Sequence, residues 1–273
     1  MSMDRRQFLK ITGISSILGL GASVASATHP IWMPGVDPDL VSPNAQALTA
    51  KRWGMAVDMT KFRSEADIKR VVEACHSIHN VPDFGNNPDG TKNIKDEIKW
   101  IWKAKFKQAF PEQATELNEH LEEAPFLVFC NHCDNPACVR VCPTKATFKR
   151  DDGAVMMDMH RCIGCRFCMA ACPYGARSFN WRDPRPFIKK EKQNRKYPTR
   201  TKGVVEKCTF CTERLAVGQM PACVEKAPPG GLVFGDLDDP KSAIRRLVST
   251  RYTIRRKPEL GTGPNIYYVI GGR

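Results

Sequence analysis

Eight cysteines in two runs dominate the middle of the chain: Cys130-x2-Cys133-x4-Cys138-x3-Cys142-Pro143 and Cys162-x2-Cys165-x2-Cys168-x3-Cys172-Pro173. Thiolates this closely spaced converge on a metal centre. In the second run the spacing is that of iron-sulfur ligation, where three grouped thiolates grip one face of a [4Fe-4S] cube and the fourth ligates a neighbouring cube. Two such runs in tandem imply two cross-ligated clusters. A single C-x-x-C would serve zinc sites and redox dithiols equally well, but structural zinc usually takes two separated pairs. Six disulfides are the remaining possibility for twelve cysteines. The spacing argues against them, and a chain of 273 residues does not need stapling.

The elements that position these loops fall on either side. Before the first run, Arg52 to Asp58 alternates like a strand, Ile68 to Cys75 has helical spacing, and Asn93 to Glu123 reads as helix in two pieces around Pro111. In the first piece Ile94, Ile98, Ile101 and Lys105 share a side, with Trp100 and Trp102 as core; Leu117 and Leu121 are four apart in the second. Between the runs, Ala146–Lys149 and Val155–Asp158 flank Arg150-Asp151-Asp152-Gly153, a hairpin signal. Asp183 to Lys202 is rich in Pro and Lys/Arg and reads most simply as a solvated connection, or else as a docking loop for an acidic partner. A further cysteine group follows, Cys208-x2-Cys211-x11-Cys223, with Ala227-Pro228 after it. Leu232 to Asp236 is strand-like and Ser242 to Thr250 helical. Gly261 to Ile270 is extended, as a sheet edge or partner contact.

The N-terminus reads as an address. Asp4-Arg5-Arg6-Gln7-Phe8-Leu9-Lys10, a short apolar stretch from Ile11 to Val24, and Ala25-Ser26-Ala27 make a twin-arginine signal peptide over residues 1–27. That route carries folded, cofactor-loaded proteins, so address and cysteines support each other. A Pro-rich arm fills residues 28–50. The formal charge of +13 falls to +11 without the signal peptide, and three [4Fe-4S] centres would bring it to about +5. No nucleic-acid-binding motif accompanies the basic residues.

With these motifs the chain resembles the ferredoxin-type subunits of exported membrane redox complexes, a group that includes the iron-sulfur partners of polysulfide and tetrathionate reductases and NrfC. The resemblance runs from about Trp53 to Tyr268. It implies an α+β fold of tandem bacterial-ferredoxin-like, two-cluster modules with short hairpins, peripheral helices and long loops. An outer module would span 51–82 plus 201–240, a helical insertion 83–125, a central module 126–184, a basic connection 185–200 and a C-terminal segment 241–273. The family's four motifs pair first with fourth and second with third, but here the first is broken. Phe62 stands where its first cysteine would be and Ala227 where the last cysteine of the fourth would be. Both losses fall on one cluster.

Three sites then remain: Cys130, Cys133, Cys138 and Cys172 for cluster 1; Cys162, Cys165, Cys168 and Cys142 for cluster 2; Cys208, Cys211, Cys223 and Cys75 for cluster 3. The signal peptide, the broken first motif and the run from Cys162 to Arg177 look most like the periplasmic subunit of the complex associated with dissimilatory sulfite reduction. That implies an NrfD-like multispan membrane subunit and a periplasmic multihaem cytochrome c as partners. An iron-sulfur subunit of a molybdopterin-type reductase or nitrite-reduction system is the alternative. Lys145, Arg161, Arg166 and Arg177 lie near cysteines in sequence and would favour the reduced clusters if near in space. His132 and His160 read as hydrogen-bonding neighbours, since the cysteines already fill the sites. No nucleophile series or phosphate loop marks a substrate site. A colourless zinc-bound scaffold is the third possibility.

Overall fold

Trp53–Val57 (β1) is buried along its whole length, and the rest of the fold is arranged around it. A computed structural model describes residues 44–270, except 92, 115, 116, 118 and 189 and the side chains of Leu121 and Lys192. The twin-arginine address and residues 28–43 of the Pro-rich arm therefore lie outside the described residues.

Helix α1, Glu65–Ile78, begins at a capping box formed by Ser64 and Asp67 and turns Ile68, Val71 and Cys75 inward. Ile101–Lys105 (β2) pairs antiparallel with Pro125–Phe129 (β3). The short helices Phe106–Ala109 (α2) and Glu119–Glu122 (α3) lie between these strands. Ala137–Arg140 (α4) carries Cys138, and Thr147–Lys149 (β4) and Val155–Met157 (β5) form the hairpin. Phe167–Ala170 (α5) carries Cys168, and Ser178–Phe179 (β6) pairs with Val205–Glu206 (β7). Thr212–Leu215 (α6) and Ala222–Lys226 (α7) follow. Leu232–Asp236 (β8), Ala243–Thr250 (α8), Thr253–Ile254 (β9) and Ile266–Val269 (β10) complete the fold.

The main sheet has the order β8-β1-β10-β9, with β1 antiparallel to β8 and parallel to β10. One face of β1 presents Trp53, Met55 and Val57 to the large core; the other presents Ala56 to Leu237 and Ile244. Gly54 keeps that second face thin, because a Cβ there would lie 2.4 Å from Leu237 Cδ1. Asp236 ties the edge together by accepting the Lys51 N–H at 2.8 Å and the Arg52 N–H at 3.1 Å. These backbone donors outweigh its burial and hold its carboxyl below the ordinary 3.8. Its contribution is therefore complete above that value and is lost as pH falls through the lowered one. Asp236→Ala is expected to cost about 2 kcal/mol near neutrality, with a smaller difference from the unmodified protein in acid, as read by denaturant titration.

Three expectations need correction. The helix expected over 93–123 is broken up: its first eight described residues are irregular and a strand follows them. Ile101–Lys105 is a strand because it pairs along its whole length with β3, with Lys103 and Lys105 exposed and Trp102 and Ala104 half-buried on the other side, and only the short helices and the Pro111–Gln113 turn are helical. Ile94, assigned to the helix's apolar side, is 68% exposed, whereas Trp100 is 1% exposed. The late strand is not a sheet edge, since β10 sits between β1 and β9. Asp183 to Lys202 is not simply solvated: Tyr197 and Arg200 are buried, and Asn194 exchanges hydrogen bonds with Asn80 and donates to the carbonyl of Ile78, the last residue of α1.

Candidate metal centres

None of the twelve cysteines is in a disulfide, and their loops share a backbone device. In the first C-x-x-C pair of each of the three runs the residue just before the second cysteine is left-handed: His132 at φ 41°, Gly164 at φ 73° and Phe210 at φ 58°. A left-handed residue curls so short a loop, and non-glycine residues take that conformation at a cost that functional sites commonly carry. At Gly164 the requirement is doubled, because a Cβ would also stand 2.5 Å from the Gly203 carbonyl oxygen. Gly164→Ala is expected to destabilise by about 1–3 kcal/mol and to loosen the Cys162–Cys165 loop, seen as earlier thermal release of part of the bound iron.

The structure collects the cysteines in three places. One cavity is lined by Cys130, Cys133, Cys138 and Cys172, with Tyr174, Arg177 and Thr262. Burial, reinforced by Cys130, pushes the Cys133 thiol up to about 12, against the nearby Thr262 hydroxyl. Thr262 also bonds the Tyr174 hydroxyl at 2.5 Å, so the segment leading into β10 helps to shape this site. A second cavity is lined by Cys142, Cys162, Cys165 and Cys168, with Thr147, Met157 and Arg166. Here burial is outweighed at Cys142 by the Thr147 N–H at 3.5 Å and the Thr144 hydroxyl, and its thiol is lowered. Cys165 is the exposed member.

The third group lies where two helices meet. Cys75 on α1 is raised by burial and then by Cys211, Cys208 and Cys223. Helices α1 and α7, which carry Cys75 and Cys223, pack together. Beside them His79 Nδ1 meets the Cys75 carbonyl at 2.8 Å, and His79 Nε2 meets Glu213 at 2.8 Å. Ligand atoms of His79, Cys211 and Glu213 lie within 4.8 Å of one another. Phe62 packs at the edge of this core with Ala227, and its ring would be 3.0 Å from a Cβ at Gly231. Apolar packing thus occupies both positions where the family pattern would place a cysteine.

The three groups adjoin. Burial and then Cys130 raise the Cys208 thiol, while the His132 ring, from the first loop, stacks on Phe210, from the third, at 3.5 Å. Cys168 feels Cys138, and α4 packs on α5. Of the basic residues near cysteines in sequence, Arg177 is buried between the first and second groups. Arg166 lies at the rim of the second cavity and stacks over Trp181 at 4.7 Å; Lys145 and Arg161 are exposed. His132 is fully buried, and its Nδ1 accepts the Val155 N–H at 3.0 Å. His160 is exposed.

Lys207 was not singled out by spacing, although it immediately precedes a cysteine. It is 1% exposed. The pair Arg200–Glu206 was also missed, because its setting depends on contacts with His79 and Asn180, remote in sequence.

The arrangement defines an iron-sulfur protein. The 4Fe-4S dicluster domain family model matches residues 125–187 and 192–237. The chain is 39% identical to the Hdr-like menaquinol oxidoreductase iron-sulfur subunit 1 of Archaeoglobus fulgidus, with 99% of each chain covered. It is 32% identical to the menaquinone reductase iron-sulfur cluster-binding subunit of Nitratidesulfovibrio vulgaris over 80% of this chain and 88% of that one. The B component of polysulfide reductase from Wolinella succinogenes is 34% identical over 73% of this chain and 86% of its own. The chain therefore belongs to the family of 4Fe-4S iron-sulfur subunits of oxidoreductase complexes, and its cofactors are [4Fe-4S] clusters.

The residues fit such groups. The gathered cysteines offer the sulfur donors that iron-sulfur clusters take, and Arg177 Nη2 and His132 Nε2 are buried polar atoms without a hydrogen-bond partner in the protein.

Proposed function

We propose that the chain is an electron relay with three [4Fe-4S] sites: Cys130, Cys133, Cys138 and Cys172; Cys142, Cys162, Cys165 and Cys168; and Cys75, Cys208, Cys211 and Cys223. The observation that carries this reading is the gathering of twelve cysteines into three adjoining groups of four, the first in contact with both others. When bound, the clusters take up and release single electrons.

The polypeptide holds the sites close together, buries Cys75, Cys211 and Cys223 of the third, and leaves the second open at Cys165. No helix among the described residues is long and apolar enough to cross a membrane. The twin-arginine address supports export in folded form, with attachment through partner subunits. Within the family we assign the chain to the DsrO type, the periplasmic iron-sulfur subunit of the membrane complex associated with dissimilatory sulfite reduction. In that setting it connects an NrfD-like quinone-interacting subunit with a periplasmic multihaem cytochrome c. The names of the menaquinol- and menaquinone-linked relatives support the quinone side.

A reductive titration tests the relay. Anaerobically purified protein should be brown and should bleach on taking up about three electrons per chain. A colourless protein, or uptake of about two, would contradict this reading.

A further inference from the structure

We propose that Arg177 and Lys207 are buried counter-charges each shared between two cysteine groups: Arg177 by the first and second, Lys207 by the first and third. The inference rests on the three groups being cluster sites. Both side chains lie deep in the fold, Arg177 at 5% exposure and Lys207 at 1%, and no described carboxylate pairs with either. The nearby carboxylate, Glu206, is occupied by Arg200 on the other side of the extended segment.

Arg177 is held by the Thr147 hydroxyl at 3.0 Å, and its other terminal nitrogen is unpartnered in the wall of the first cavity. It bears on Cys138 and Cys130 of the first group and on Cys168 of the second. Lys207 Nζ donates to the Val155 carbonyl, whose residue lines the first cavity, and to the Cys208 carbonyl of the third group at 2.7 Å. Beside Val155, the buried His132 ring accepts the Val155 N–H at its Nδ1. Burying two cations without carboxylates is costly unless anions lie beside them. Thiolate-ligated clusters are such anions, and a cation beside a cluster favours its more negative, reduced form.

The test is an EPR-monitored redox titration of the holoprotein, with iron measured on every sample. The third site is identified by its absence from Cys75→Ser. Arg177→Gln should lower the midpoints of the first and second sites and leave the third; Lys207→Gln should lower the first and third and leave the second. Arg177→Lys and Lys207→Arg should stay near the unmodified values. Fully loaded neutral variants with unmoved midpoints, or with all three sites shifted alike, would overturn the proposal. Where a neutral variant fails to load, iron retained in its charge-conserving counterpart supports the counter-charge role, and equal loss in both contradicts it. Iron well below about twelve per chain in the unmodified protein would instead refute the site reading, and the sharing pattern with it.

Discussion

Cys75→Ser is expected to remove about a third of the iron and acid-labile sulfide, leaving about eight of each per chain. Cys75 is remote in sequence from the other cysteines of its group and belongs to no local motif, yet the structure sets it among Cys208, Cys211 and Cys223. It lies on the buried face of α1, against α7. The serine hydroxyl is a poor ligand for iron, so the third site should empty while the first and second stay loaded. Iron unchanged by the substitution would make Cys75 a buried structural thiol. Loss of all the iron would mean that the variant fails to fold.

Arg200→Met is expected to destabilise the protein by about 3–5 kcal/mol, lowering the thermal midpoint by roughly 10 °C. The Arg200–Glu206 pair is fully buried and bidentate, with contacts of 2.6 and 2.5 Å. Glu206 also accepts from Trp100 Nε1 at 2.9 Å and Asn180 Nδ2 at 2.5 Å. Removing the guanidinium leaves a buried carboxylate with neutral donors only. It also frees the His79 carbonyl, which Arg200 Nη1 holds at 2.5 Å. His79 abuts Cys75, so iron release from the third site should accelerate as well. Arg200→Lys keeps the charge but loses the fork, and should fall between the two. A midpoint unchanged in Arg200→Met would remove this pair from the framework of the fold.

Much of the central region was legible because its signals are local. The cysteine spacings, the Arg150–Gly153 turn, the strand around Met55 and the helix carrying Val71 and Cys75 each need only a few neighbouring residues to be read. The segment around Ile101 was misread because Ile98, Ile101 and Lys105 satisfy a helical period, while the partner that makes a strand of it, Pro125–Phe129, is remote in sequence. The same reason hid the inner position of β10 and the burial of Arg200. Lys207 looked like one more basic residue in a basic chain; only its enclosure by Val155 and Cys208 distinguishes it.

The central claim, three cluster sites in one chain, is tested most directly by the iron and acid-labile sulfide content of anaerobically purified, unmodified protein. About twelve of each per chain is the expected result. About eight would leave two sites and contradict the third.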